Sequence, residues 1–212
     1  MSSAPARGAW QYPVIGTLVL ILRTFGFWDE HGSLATVLGE VLTIGCLFGY
    51  LAYRRSIEQR PWKELGFIRP AWDDLWTGLA AGAASLAFGM LYSRVMTGHG
   101  GTEMNLRLAG VTGSFAAAAL IARTLMQTLG EELIFRSYMI PRLEAARGLR
   151  AAVLISAVCF GLLHYTDAVP TAIHGLIFST AFLRRRSIWA AWLAHASINT
   201  TVLLAARSTL GG

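Results

Sequence analysis

The sequence predicts an all-α protein: a polytopic bundle of about seven transmembrane helices with a polar site inside the membrane. Three observations lead there. Of 212 residues, 54% are hydrophobic and 14% charged, with a mean hydropathy of +0.49, whereas a soluble domain carries about 25% charged residues. The apolar residues gather into seven stretches. The basic residues fall in alternate loops between those stretches, the pattern that membrane insertion selects. Disorder, a coiled coil and a secreted disulfide scaffold do not fit these figures. The two cysteines, Cys46 and Cys159, lie inside apolar runs and read as buried thiols.

The stretches run over 12–28, 34–53, 75–96, 114–135, 151–165, 171–183 and 188–206. A full span needs about 20 apolar residues, which the second, third, fourth and seventh supply. The fifth and sixth are short, so tilt or burial in protein is expected. The first contains Arg23 and lacks a small-residue cleavage site, so it reads as an anchor rather than a signal peptide. Arg54, Arg55, Arg60, Lys63 and Arg69 follow the second stretch, Arg142, Arg147 and Arg150 the fourth, and Arg184, Arg185 and Arg186 the sixth. The positive-inside rule makes these loops cytoplasmic, with the N-terminus inside and the C-terminus outside. Arg23, Arg94 and Arg107 lie toward the outer side. The net charge of +6 therefore reflects topology, and no nucleic-acid partner is expected. Residues 1–61 hold the first two helices and the start of a cytoplasmic loop; residues 62–212 hold every motif.

Ionisable groups within a bilayer are costly and usually functional. Here they are Glu40, Arg123, Glu131, Glu132, Arg136, His164, His174 and His195, with Asn199 beside the last. Glu132 and Arg136 stand at i, i+4, on one helix face, where the arginine holds the carboxylate ionised. Glu131 is turned about 100° away and faces a different environment, so the two carboxylates can adopt different protonation states. An ion pair at a helix end is the plainer reading. His195 and Asn199 also share a face and can present donors to one point; interhelical polar glue is the alternative. His164 alone, and His174, read as core or water-bound histidines.

Depth connects the motifs. At about 1.5 Å per residue, His164 lies roughly 20 Å in, His195 roughly 13 Å and Glu131 roughly 16 Å from the basic cytoplasmic residues. A carboxylate can take a proton from water, a histidine can orient that water, and a second histidine with an asparagine can stabilise an oxyanion. The set suits hydrolysis of a carbonyl compound. Glu131, His164 and His195 also have the donor chemistry of a divalent-metal site, zinc for example. Neither H-E-x-x-H nor G-x-S-x-G occurs.

These motifs resemble the CPBP family: type II CAAX prenyl endopeptidases and the related bacteriocin-processing and immunity proteins. The resemblance rests on Glu131-Glu132 with Arg136, on Phe160 with His164, and on His195 with Asn199. Glu64-Leu65-Gly66-Phe67 and the run from Gly175 to Trp189 agree with it, so that it covers the chain from Trp62 onward. It implies an all-helical intramembrane protease. Carried over residue by residue, it makes Glu131 the base, His164 its partner in activating water, and His195 with Asn199 the oxyanion donors. Glu132 and Arg136 then support and orient, with Phe160 beside them. Both metallo- and metal-free glutamate mechanisms are compatible with it. The implied partners are a membrane-associated, prenylated or peptide substrate and the lipid bilayer, and the expected setting is a bacterial cell membrane. Ser179 in place of a second glycine, Arg185 and Arg186 in place of a neutral pair, and the extra His174 depart from the family pattern. Other readings are a non-catalytic membrane scaffold, a peptide-immunity protein and a proton-coupled transporter, the last lacking an inverted repeat.

Overall fold

The computed structural model describes residues 49, 52, 56, 59, 61–96, 114–164 and 167–210. The first two predicted spans, apart from Gly49 and Ala52, lie outside the described residues, as do Glu40, Cys46, Arg107 and the side chain of Arg123. Every regular element described is helical. After a 3-10 turn at Trp62–Leu65 come α1 (Trp72–Met96), α2 (Ser114–Glu132), a π-helical segment (Leu133–Met139), α3 (Ile140–Arg147), α4 (Leu149–Leu162), α5 (Ala168–Arg185) and α6 (Ile188–Leu210). Helices thus occur at each of the last five predicted stretches. Two of them, Trp72–Met96 and Ile188–Ala205 within α6, are long and apolar enough to cross a membrane. The fourth stretch, counted among the full spans from its sequence, is not among these two. Gln127 and the charged residues Arg123, Glu131 and Glu132 interrupt its apolar run.

A core helix of a soluble protein would be covered. α1 is not: only 17% of its apolar window is buried, and Trp72, Trp76, Met90, Leu91, Val95 and Met96 all stand exposed along it. Leu154, Val158 and Leu162 of α4 are exposed as well. Apolar surface on this scale has to meet something other than water, and lipid is its natural solvent.

α1 begins where Pro70 and Ala71 end the extended entry. Asp74, at the third helical position, accepts a hydrogen bond from the Ala71 N–H at 2.9 Å, so the carboxylate satisfies a donor outside the helix. Asp73 and Asp74 also place negative charge at the positive end of the helix dipole. Along its inner side α1 carries Gly78, Gly82 and Ser85, all buried, and packs closely on α6. A Cβ at Gly78 would lie 2.9 Å from the Ala190 carbonyl oxygen, so the small residue is what permits that approach.

The segment before α1 is pinned to the bundle. Gly66 adopts a left-handed conformation with φ 81°, and a Cβ there would sit 2.9 Å from the Ile188 nitrogen. Its carbonyl accepts from the Ile188 N–H at 3.0 Å, which satisfies one of the unpaired donors at the start of α6. The Trp189 indole donates to the Ile68 carbonyl at 2.8 Å. At the same end, Arg184 pairs with Asp73 at 2.9 Å, Arg185 pairs with Asp74, and both guanidinium ends of Arg186 meet Glu144 at 2.7 and 2.8 Å. Arg186 is itself left-handed, with φ 53°. The arginine run therefore makes the α5–α6 turn and ties it to the ends of α1 and α3.

The apolar stretch ends at Phe135, but the helix does not: the chain stays helical from Ser114 to Arg147 by loosening into the π segment. Pro141 follows directly and has no N–H to give the preceding turn. A neighbour satisfies an acceptor of the loosened ladder: the Ser156 hydroxyl donates to the Phe135 carbonyl at 2.9 Å. The Ser137 hydroxyl donates to the Leu65 carbonyl at 2.7 Å and ties the π segment to the 3-10 turn before α1. Phe135, Phe160, Phe178 and Ala194 form the buried core around which the polar residues collect.

Candidate active site

The last turn of α2 delivers Glu131 and Glu132 at the point where the π segment begins, a place where helix irregularity often serves function. Both are buried, Glu132 completely. Glu132 Oε1 accepts from Arg136 Nη1 at 3.1 Å and meets His195 Nδ1 at 2.8 Å. Arg136, also fully buried, donates through Nη2 to the Gly175 carbonyl at 3.0 Å. Its guanidinium carbon lies 4.5 Å from the centre of the Phe160 ring and 5.5 Å from that of Phe178. An arginine suits this setting because its planar cation can bond in its plane and stack on aromatic faces.

His195 on α6 is held on several sides. Phe178 stacks on it at 4.7 Å, and Phe160 meets it edge-on at 5.6 Å. Glu132 occupies Nδ1. The other ring nitrogen, Nε2, stands 3.8 Å from Glu131 Oε2, too far for a direct hydrogen bond. The direct carboxylate–imidazole contact is therefore made by Glu132, while Glu131 accepts from the Gln127 amide at 2.9 Å.

His164 lies at the end of α4, its ring 4.9 Å from Phe160. Nδ1 is 2.9 Å from the Phe160 carbonyl oxygen. A carbonyl can only accept, so Nδ1 carries the proton and Nε2 keeps its lone pair when the ring is neutral. Asn199, one turn beyond His195, is half-buried, and its amide makes no hydrogen bond among the described residues. Phe160 touches Arg136, His164 and His195. It is the shared wall of the site.

Glu131, Glu132, Arg136, Phe160 and His195 thus form one continuous cluster, with His164 attached through Phe160. Among the described residues, no three His, Cys, Asp or Glu side chains are grouped to hold a metal ion. Glu131, His164 and His195, the ligand set compatible with the sequence, are not assembled as one. His195 and His164 each direct Nδ1 to a protein acceptor. Three neighbours escaped the sequence analysis. Gln127, four residues before Glu131, and Phe178, four before Phe182 on the buried face of α5, carry helical spacing as their only signal. The Gly175 carbonyl carries none.

Residues 112–201 match the family described as type II CAAX prenyl endopeptidase Rce1-like. Neither the curated proteins nor the solved structures include a match to the chain. The matched stretch runs through Glu131, Glu132, Arg136, Phe160, His164, His195 and Asn199, and over it the chain is similar to the Rce1-like type II CAAX prenyl endopeptidases, a family of proteases.

Proposed function

We propose that the protein is an intramembrane endopeptidase that hydrolyses a peptide bond of a membrane-associated substrate with water activated by Glu131. The observation that carries this reading is the pair of linked contacts Arg136–Glu132–His195, with Glu131 facing the free edge of the same imidazole. Net charge in a poorly solvated site is costly. With Arg136 positive and both glutamates ionised, one further proton balances the cluster, and it can sit on Glu131 or on His195. When it is on His195, Glu131 is a carboxylate able to act as base, and His195 Nε2–H is a donor. Glu132 stabilises that imidazolium, as a carboxylate on Nδ1 does in other hydrolytic sites.

The reaction then runs as follows. Glu131 takes a proton from water, and the water oxygen bonds to the scissile carbonyl carbon. His164, whose Nε2 lone pair faces away from Phe160, accepts a hydrogen bond from that water. The oxyanion is met by His195 Nε2–H and the Asn199 amide. Glu131 returns its proton to the departing nitrogen as the C–N bond breaks. Glu132, Arg136 and Phe160 hold the acting groups in place without touching the reacting atoms.

Membrane placement follows the same logic. The pairs of Arg184, Arg185 and Arg186 bring the start of α1, the end of α3 and the α5–α6 turn to one side, and the positive-inside rule makes that side cytoplasmic. The N-terminus is then cytoplasmic, in a multi-pass bacterial membrane protein.

The test uses purified protein in detergent and a lipid-tethered, fluorescence-quenched peptide. Wild type should release fluorescence. Glu131→Gln should abolish release, because it keeps the shape and removes the base, while retaining the fold. Activity lost to a chelator and restored by added metal would replace the glutamate mechanism. No cleavage by wild type of any tethered peptide in a panel would favour a non-catalytic scaffold.

A further inference from the structure

His174 and Ser85 lie outside the three motifs. Ser85 is on α1, fully buried, and its hydroxyl is 2.5 Å from His174 Nδ1 on α5. The ring of His174 stacks on Phe178 at 6.2 Å with an interplanar angle of 18°, and Phe178 stacks on His195 at 4.7 Å with 20°. Phe88 also meets the His174 ring, edge-on at 5.3 Å and 77°. With Nδ1 held by Ser85, the opposite edge of the ring is directed at Gly89. A Cβ built on Gly89 would have only His174 Cε1 and Nε2 within 4 Å, both at 3.7 Å. The imidazole edge therefore borders a place on α1 where a side chain is missing, and Nε2 has no hydrogen-bond partner among the described residues.

A packing role does not need these groups. Phenylalanine or leucine would fill the space without a polar atom to desolvate, and half-buried polar atoms normally find partners. The nitrogen is suited to a hydrogen bond with something that enters beside Gly89. Through the common ring Phe178, His174 and His195 are at most about 11 Å apart by centroids, which is about three residues of extended chain. We propose that the Ser85–His174 pair, opening onto Gly89, is a substrate subsite that hydrogen-bonds the backbone of an extended peptide about three residues from the scissile bond. A peptide backbone offers both N–H and C=O, so either tautomer of His174 finds a partner: a proton on Nε2 donates to a carbonyl, and a lone pair there accepts from an amide. The inference rests on the protease reading, and the experiment separates the two.

Binding of the same lipid-tethered peptide, labelled with fluorescein, is measured by anisotropy in detergent micelles with the inactive Glu131→Gln protein as the reference. In that background His174→Phe keeps the ring on Phe178 but removes the nitrogen. Ser85→Ala releases the ring from its anchor, and Gly89→Leu fills the adjoining space. Each should weaken binding by about 5–10-fold, the worth of roughly one hydrogen bond, with His174→Phe unfolding at the temperature of its parent. In otherwise active protein, His174→Phe should raise KM and leave kcat nearly unchanged. Affinity of His174→Phe equal to that of its parent, or absence of peptide binding by the Glu131→Gln protein itself, overturns the subsite. Absence of cleavage by wild type with this affinity pattern intact would refute the protease reading alone.

Discussion

Replacing Arg136 by methionine tests whether the centre of the site is an electrostatic unit. Methionine keeps much of the side-chain volume between Phe160 and Phe178 but removes the cation. The bond to Glu132 at 3.1 Å and that to the Gly175 carbonyl at 3.0 Å are both lost. A hydrogen bond to a charged group contributes about 1.5–3 kcal/mol, and removing one partner of a buried ion pair costs about 3–5 kcal/mol because the remaining charge is stranded. Glu132 is fully buried, so the upper part of that range applies unless His195 takes up a proton and supplies the missing charge.

The second half of the test is Glu132→Gln. Its amide oxygen can still accept from His195 Nδ1, yet it carries no charge. With both substitutions no ion is left unpaired, so the double variant should be more stable than Arg136→Met alone. Its cost should therefore fall short of the sum of the two single effects by about 1–3 kcal/mol, the coupling expected of groups in one network. Unfolding in mixed micelles with increasing denaturing detergent gives the three differences on one scale. A cost below about 1 kcal/mol for Arg136→Met, or additivity of the two substitutions, would refute the view that Arg136 is there to balance Glu132.

On the proposed mechanism Asn199→Ala removes one oxyanion donor and should slow turnover by about 10²–10³-fold with little change in KM, read by the quenched-peptide assay; an equal rise in KM would move Asn199 to ground-state binding. Gly161→Ala should cost at least about 1–3 kcal/mol by overpacking, because its Cβ would lie 2.3 Å from the Ala168 carbonyl oxygen and 2.8 Å from Ala172 Cβ; unfolding measurements show the loss, and His164, three residues on, should shift with it. Arg186, by hydrogen-bonding Glu144, holds that carboxylate below its ordinary value of 4.5. A depressed carboxylate stabilises the fold above the unfolded value and ceases to do so as pH falls through the folded one. Glu144→Gln should therefore destabilise the protein at pH 7, by no more than about 1 kcal/mol for a partly exposed pair, and make little difference once the pH has fallen through the folded value; an equal effect on both sides of that titration would show that the pair contributes no charge-dependent stability.

The Glu132–Arg136 contact was legible because it is local: four residues on a helix fix it within one turn. The partner of His195 was not. Shared depth brings Glu131, Glu132, His164 and His195 into one layer, but depth is measured along the helix axes and says nothing of rotation about them. Which carboxylate meets Nδ1 depends on how α2 turns against α6, and the ladder changes to π geometry at Leu133, directly after the two glutamates. A periodic reading assumes 3.6 residues per turn throughout and carries no sign of that change. The fourth stretch ended at Phe135 because its apolar run stops at Arg136, whereas the chain remains helical to Arg147.

Ser179 shows the opposite case. It stands where the family pattern has a glycine, and its buried hydroxyl donates to the Gly175 carbonyl at 2.7 Å, the same oxygen that receives Arg136. That carbonyl belongs to no side chain and could not be named from a motif, yet it is where α5 joins the site. On the proposed mechanism the three motifs supply the base, its partner and the donor groups from α2, the end of α4 and α6. The fourth wall comes from α5 through one backbone oxygen, which receives Arg136, and through the Phe178 ring, which stacks on His195; a substitution on α5 therefore reaches the site by moving that wall and removes none of the polar side chains of the motifs.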